Sequence, residues 1–437
     1  DLKQLPEPVF DEVEEIDDDQ ELTENEKKLA DIWKELIGCD AGKHSNFFSM
    51  GGHSLVAVQL LSKIEKQFKK KITLHDIFAN PELDKMSLLV EHAEDKTLFP
   101  AIRGFSSNKQ PEISFGQERM AFYEYVHPNT EMFNIPGVFE ITGNLNLKNL
   151  EEAINKVINK HDVLRTNIIF LSGIPTVVLQ DKMNVKLEYE VLENVSAKAK
   201  RIDNFISKAF RIDIDPLLRF KVLEVDKNKY TLIAVIHHLV IDGWSINLLM
   251  REIMNSMYEI DKGIESDVPM NEEAISYYDY AAWQKQLYKE GRFEDDLNFW
   301  MKKLGAHQDC TYFESSYDDY MMREDAEDIM VVHDMDDAVV TAMNKMCNEN
   351  NVSIFDIMLG NLFSYIYKIV KREEITIGIP FAGRDQEELE DIIGCFINIL
   401  PIRVNMSKCE KFTQLVVQVS EEVADAIEHS HIPFEKI

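Results

Sequence analysis

Tyr230-Thr231-Leu232-Ile233-Ala234-Val235-Ile236-His237-His238-Leu239-Val240-Ile241-Asp242-Gly243-Trp244-Ser245 opens as a near-continuous apolar run and closes on a histidine pair followed by a turn. The run predicts a buried strand over 230–238. Successive strand residues point to opposite faces, so only one of His237 and His238 can face any one cavity. An imidazole titrates near neutrality, which suits a general base or a group that orients an amine. Asp242 follows His238 by four residues, across a turn closed by Gly243. From these residues alone a core histidine satisfied by hydrogen bonds and a working histidine both remain open. A metal site would need a further ligand, and none stands at a familiar spacing.

Around this segment, β-branched runs alternate with helical periodicity. Strands are predicted at 138–141, 176–180, 220–225, 329–333 and 375–379. Helices are predicted over 150–160, 246–260, 294–304, 338–348 and 354–370. The mixture suggests an α/β or α+β body of two lobes. Residues 308–328, rich in Tyr, Asp and Glu without a period, read as a surface excursion.

The N-terminal part is different. Between Asp11 and Glu21 eight of eleven residues are acidic, the composition of a solvated, self-repelling linker, so residues 1–21 are read as one. Thr23-Glu24-Asn25-Glu26 has capping-box spacing, and Leu29, Ile32, Trp33, Leu36 and Ile37 follow at helical intervals up to Gly38. Phe47-Phe48-Ser49-Met50-Gly51-Gly52-His53-Ser54-Leu55 precedes a second amphipathic helix carrying Leu55, Val58, Leu61, Ile64 and Phe68. Two shorter helical patterns complete a four-helix bundle over 22–95. A Gly- and Ser-containing linker follows at 96–111. Ser54 at a helix mouth is either a plain N-cap or an exposed hydroxyl whose phosphorylated form would sit in the positive field of the helix N-terminus.

The chain has 437 residues, enough for two or three domains. A net charge of −31 argues against nucleic acid and anionic membranes as partners. No apolar stretch is long enough for a transmembrane helix, and the first residues do not form a signal peptide. Five scattered cysteines without a CxxC pair read as reduced thiols in the cytoplasm.

The block Phe47–Leu55 resembles the carrier-protein signature of nonribosomal peptide synthetases, D-x-F-F-x-L-G-G-H-S-L. The resemblance implies that Ser54 carries covalent 4′-phosphopantetheine, installed by a separate phosphopantetheinyl transferase. Asp1-Leu2-Lys3-Gln4-Leu5-Pro6-Glu7-Pro8 is similar to the tail that closes an adenylation domain, which implies such a domain upstream.

His237-His238-Leu239-Val240-Ile241-Asp242-Gly243 matches H-H-x-x-x-D-G of condensation domains. Blocks in the same order as the family's begin at Ser114, Lys160, Tyr277, Ile393 and His429; they include Gln117, Arg119, Arg165, Asn398, Pro433, Phe434 and Glu435. The resemblance implies a condensation domain over 112–437. Its N-lobe would cover about 112–285 and its C-lobe about 286–437, each like chloramphenicol acetyltransferase, with further strands and a final helix of the second lobe absent from this chain. It implies amide-bond formation, as in antibiotic biosynthesis, between a donor thioester and an acceptor aminoacyl thioester delivered by a downstream carrier. By position His238 is the catalytic histidine, acting as base or amine positioner, and His237 supports the fold. Asp242 is structural, with Arg165 as the candidate salt-bridge partner. Gly243 permits the turn beside the thioester, and Trp244 and Asn398 line or frame the substrate tunnel. An epimerisation domain, a non-catalytic docking module and a free-standing coenzyme A acyltransferase are the alternatives. The first block, the intact histidine pair and the fused carrier speak against these in turn.

Overall fold

The computed structural model describes residues 22–52, 54–70, 72–93, 99–102, 110–192, 194–264, 275–305, 333–384 and 386–437. The linker expected at 1–21, most of that at 96–111, the excursion at 308–328 and nearly all of the strand expected at 329–333 lie outside the described residues. The chain divides into two compact units. One comprises 1–99, 306–379 and 401–429; the other comprises 100–305, 380–400 and 430–437.

In the first unit, helix α1 (Glu24–Ile37) starts at the expected capping box: Thr23 Oγ1 accepts from the Glu26 N–H, and the Glu26 carboxylate accepts from the Thr23 N–H. It stops at Gly38, whose φ of +86° a residue with a Cβ rarely adopts. Helices α2 (Ser54–Phe68), α3 (Leu74–Ala79) and α4 (Leu83–His92) follow. The four helices share a core of Leu29, Trp33, Phe47, Leu60, Ile77 and Met86. The same unit holds α11 (Asp337–Asn350), α12 (Ile354–Val370) and α13 (Phe412–Glu428). Helix α3 packs on α13, so Ala424 is buried in the core of the first four helices and Ile427 lies against it.

The second unit is built on a four-stranded sheet of order β1-β6-β5-β4. Strands β1 (Asn134–Thr142), β6 (Lys229–His237) and β5 (Leu218–Asp226) run antiparallel, and β4 (Leu187–Val191) pairs parallel with β5. Residues 231–237 of β6 are all buried, because it is a central strand covered on both faces. Its pairing ends at His237, so His238 is the first residue beyond the strand rather than its last. Helices α5 (Phe115–Val126), α6 (Leu147–Lys160), α7 (Lys198–Ile206), α8 (Gly243–Lys262), α9 (Tyr277–Lys289) and α10 (Glu294–Leu304) belong to this unit, with α6 against α8. Strands β2 (Thr166–Leu171) and β3 (Ile174–Leu179) form a hairpin, and β7 (Glu374–Phe381) pairs with β8 (Asn398–Asn405).

Candidate functional site

Ser54 is the first residue of α2; its side chain, like all of His53, lies outside the described residues. The loop before it is tightly specified. The Asn46 carboxamide accepts from the Phe48 and Ser49 N–H groups at 3.0 and 3.2 Å. Phe47 is fully buried, edge-on to Trp33, and Phe48 stacks on Phe78. Gly51 has φ +106°, and a Cβ on Gly52 would lie 2.4 Å from the Phe47 ring. Both glycines are therefore required for the chain to enter α2 at this point. The first turn of α2 carries no acidic side chain of its own. A phosphodiester on Ser54 fits that setting.

The histidine pair is split between two environments. His237 is 1 % exposed and lies between Phe133 and Phe210. Its Nδ1 accepts from the Leu239 N–H at 3.1 Å, which places the ring proton on Nε2, 3.0 Å from Glu124 Oε1. Both ring nitrogens are thus used by the protein. His238 is half-buried, and its backbone N–H donates to the Phe133 carbonyl at 2.8 Å. Burial pushes its pKa below the ordinary imidazole value, against the opposing pull of the backbone carbonyls of His238 and Ile241 and the charge of Asp242. The neutral ring, with a lone pair available, is the favoured form.

Asp242 caps α8 by accepting from the Ser245 N–H at 2.8 Å. Its carboxylate also accepts from the Phe396 N–H at 3.1 Å and from the Arg384 guanidinium, 3.3 Å from each oxygen. The expected pairing with Arg165 is corrected: Arg165 binds Asp162, three residues back in the same 3-10 turn, and the Gln180 carbonyl. A neighbour one turn away captures that guanidinium locally. Arg384 instead reaches Asp242 from 142 positions away, and it also serves Ser245 Oγ and the carbonyls of Leu389 and Ile392. Desolvation lowers the Arg384 pKa, but the pairing keeps the guanidinium in place. The segment before Arg384 is held close: Gly383 has φ +64°, and a Cβ there would lie 2.1 Å from the Phe396 carbonyl oxygen.

The reason given for Gly243 is also corrected. It does not have positive φ, and nothing lies within 4 Å of a Cβ built on it, so the turn does not demand glycine. It is the exposed first residue of α8 beside open space. Trp244 Nε1 donates to the Glu390 carbonyl at 3.0 Å. The Asn398 carboxamide donates to the carbonyls of Ser430 and Ile432 and accepts from the Phe434 N–H, pinning that segment.

The widely separated sequence blocks meet around this centre. Gln117 Nε2 donates to the Leu239 carbonyl at 2.8 Å. Tyr277 Oη lies 2.8 Å from Ser114 Oγ and donates to the Cys395 carbonyl at 2.7 Å. Arg119 pairs with Glu435. A Cβ on Gly394 would lie 2.0 Å from the Tyr277 ring, so glycine alone fits there. No helix among the described residues is long and apolar enough to cross a membrane.

A family profile described as Condensation domain matches residues 108–437, and one described as Phosphopantetheine attachment site matches 27–90. Surfactin synthase subunit 1 of Bacillus subtilis (strain 168) is 28 % identical over 413 residues, covering 94 % of this chain and 11 % of that protein. Gramicidin S synthase 2 of Aneurinibacillus migulanus is 26 % identical over 438 residues, covering 100 % and 10 %. The chain therefore spans 10 % to 11 % of the length of these curated relatives. Among solved structures, the first condensation domain of the calcium-dependent antibiotic synthetase superposes with a TM-score of 0.63 at 16 % identity, covering 75 % of this chain and 76 % of that one, a likeness of fold.

Proposed function

The chain belongs to the condensation-domain family and carries a phosphopantetheine attachment region ahead of that domain, and on this premise we propose that it forms amide bonds in nonribosomal peptide synthesis. The carrier occupies 22–95 and the condensation domain 112–437, whose lobes at about 112–285 and 286–437 are each of chloramphenicol-acetyltransferase type. When bound to Ser54, phosphopantetheine supplies a terminal thiol that holds an acyl group as a thioester. The packing of α3 on α13, with Ala424 in the carrier's core, supports the reading that this carrier serves its own chain as donor. The acceptor amine comes on a downstream carrier, the donor is loaded by an upstream adenylation domain, and a phosphopantetheinyl transferase modifies Ser54. The four described cysteines are free thiols, which agrees with a cytoplasmic setting.

The amine nitrogen attacks the thioester carbonyl, a C–N bond forms, the C–S bond breaks, and the leaving sulfur takes a proton. The neutral His238 ring receives the amine proton, or holds the amine for attack, as the nitrogen becomes positive. The Gly243 N–H at the α8 N-terminus is offered to the developing oxyanion from a position with open space beside it. Asp242 takes no proton in this scheme, because its oxygens are occupied by Arg384, Ser245 and Phe396. Trp244 and Asn398 frame the substrate path through their anchored neighbours.

The observation that carries the reading is the division of the pair: both His237 nitrogens are committed to protein partners, whereas His238 stands just beyond the strand in its neutral form. The test is single-turnover amide formation by the Ser54-loaded chain with aminoacyl-N-acetylcysteamine thioesters, followed by mass spectrometry of the product. Product with the unsubstituted chain and none with His238→Gln supports the reading; equal product from both refutes it.

A further inference from the structure

We propose that Cys395 is a positioning residue for His238, its thiol closing the Nδ1 edge of the ring so that Nε2 is the nitrogen presented to the acceptor amine. This rests on the reading of His238 as the group that meets that amine. Cys395 Sγ lies 3.5 Å from His238 Nδ1, within sulfur hydrogen-bond range, and the residue is 3 % exposed.

The sulfur cannot drift, because the backbone on each side of it is held. The Gly394 N–H donates to Ser245 Oγ at 3.1 Å, and the Gly394 carbonyl accepts from the same hydroxyl at 3.0 Å. The Cys395 carbonyl accepts from Tyr277 Oη, and the Phe396 N–H donates to Asp242. The Asp242–Arg384–Ser245 network thereby sets the place of the sulfur. The linkage gives Asp242 a route to the histidine that needs no proton transfer.

The chemistry of the thiol suits the place. A thiol sulfur is a weak acceptor, so it can take the Nδ1–H and leave the Nε2 lone pair free without drawing the ring into its charged form. A carboxylate in that position would stabilise the imidazolium and remove the lone pair. Burial raises the Cys395 pKa strongly, so the group next to the ring stays uncharged and is no competing nucleophile for the thioester. The charged and titratable groups acting on this pair are His237 and Asp242 at the histidine, and Asp242, Arg119 and Arg384 at the cysteine.

The test compares Cys395→Ala and Cys395→Ser in the Ser54-loaded full chain, using single-turnover amide formation with aminoacyl-N-acetylcysteamine acceptors. The His238 ring is followed by ¹⁵N NMR, with its signals assigned by their loss in His238→Gln. Cys395→Ala is expected to lower the rate at saturating acceptor about tenfold or more, since small misplacement of a reacting group is costly. The acceptor concentration at half-saturation stays unchanged, and the ¹⁵N shifts move toward a mixture of tautomers. Cys395→Ser, which restores a polar group at the ring edge, recovers most of the rate and the original shifts. The proposal is overturned if Cys395→Ala keeps rate and shifts, if the loss lies wholly in half-saturation, or if the unfolding midpoint falls while the shifts stay put. If His238→Gln keeps its activity, the underlying reading fails instead, whatever the cysteine variants do.

Discussion

Removing Asp242 strands Arg384 in a place where almost no water reaches it. The two side chains are 5 % and 1 % exposed and 3.3 Å apart, so their pairing is a buried one. Breaking such a pair from one side costs about 3–5 kcal/mol, because the remaining charge keeps its desolvation penalty. Asp242→Ala also loses the cap on α8, worth about 0.5–2 kcal/mol. The sum places Asp242→Ala at roughly 3.5–7 kcal/mol, and Asp242→Asn, which keeps the cap, toward the lower end. Arg384→Ala loses the ion pair and strips the Leu389 and Ile392 carbonyls of a donor. In the double variant no charge is stranded, so its cost should fall below the sum of the single ones by about 1–3 kcal/mol. Urea unfolding of the four chains, followed by tryptophan fluorescence, measures this cycle. The matching cycle of Asp242→Ala with Arg165→Ala should be additive within about 0.5 kcal/mol. Additivity of the Asp242/Arg384 cycle, or strong coupling in the Asp242/Arg165 cycle, would refute the assignment.

His238→Ala should slow amide formation by about 10²–10⁴ while leaving the unfolding midpoint close to that of the parent. His237→Ala should instead destabilise by about 1–3 kcal/mol, because Glu124 loses its partner in a buried site; paired rate and urea measurements separate the two. The acid limb of the pH–rate profile should lie below the ordinary imidazole value of about 6.5, since burial lowers the His238 pKa and the neutral form persists as pH falls. A stopped assay from pH 5 to 8 locates that limb, and a limb above 7 would contradict it. Gly394→Ala must displace the Tyr277 ring, 2.0 Å from the new methyl group, and should cost about 1–3 kcal/mol or more in thermal unfolding. Ser54→Ala should accept no phosphopantetheine from coenzyme A and a transferase in intact-mass analysis, with the circular dichroism spectrum unchanged.

The centre of the fold was legible where one residue type dominates a segment. The apolar run of β6 could only be a buried strand, and the regular stripes of α10 and α12 gave bounds that the structure reproduces at Glu294–Leu304 and Ile354–Val370. Strand β4 was missed because Leu187–Val191 is short and mostly exposed, so it offers no apolar run to read. Helix α13 was missed because its valines read as easily for strand as for helix, and tertiary packing decides between them. At the site, the two histidines could be told apart in principle by strand alternation, but Glu124 as partner of His237 could not. Arg384 was out of reach for the same reason: a guanidinium and a carboxylate 142 residues apart leave no periodic trace. Arg165 was attractive only because it stood in a recognisable block, and its own turn already held a carboxylate for it.

The seat of the carrier on α13 has a kinetic meaning. Its apolar part includes Ala424, a single methyl group, and a half-buried Ile427. At about 0.8 kcal/mol for each buried methylene, a contact of a few carbons amounts to only a few kcal/mol. On the proposed function, that suits a domain which must leave its perch to be loaded and come back charged, once for each product molecule. Replacing Ala424, which is buried in that core, by a bulkier apolar side chain would overpack the seat and loosen it rather than tighten it.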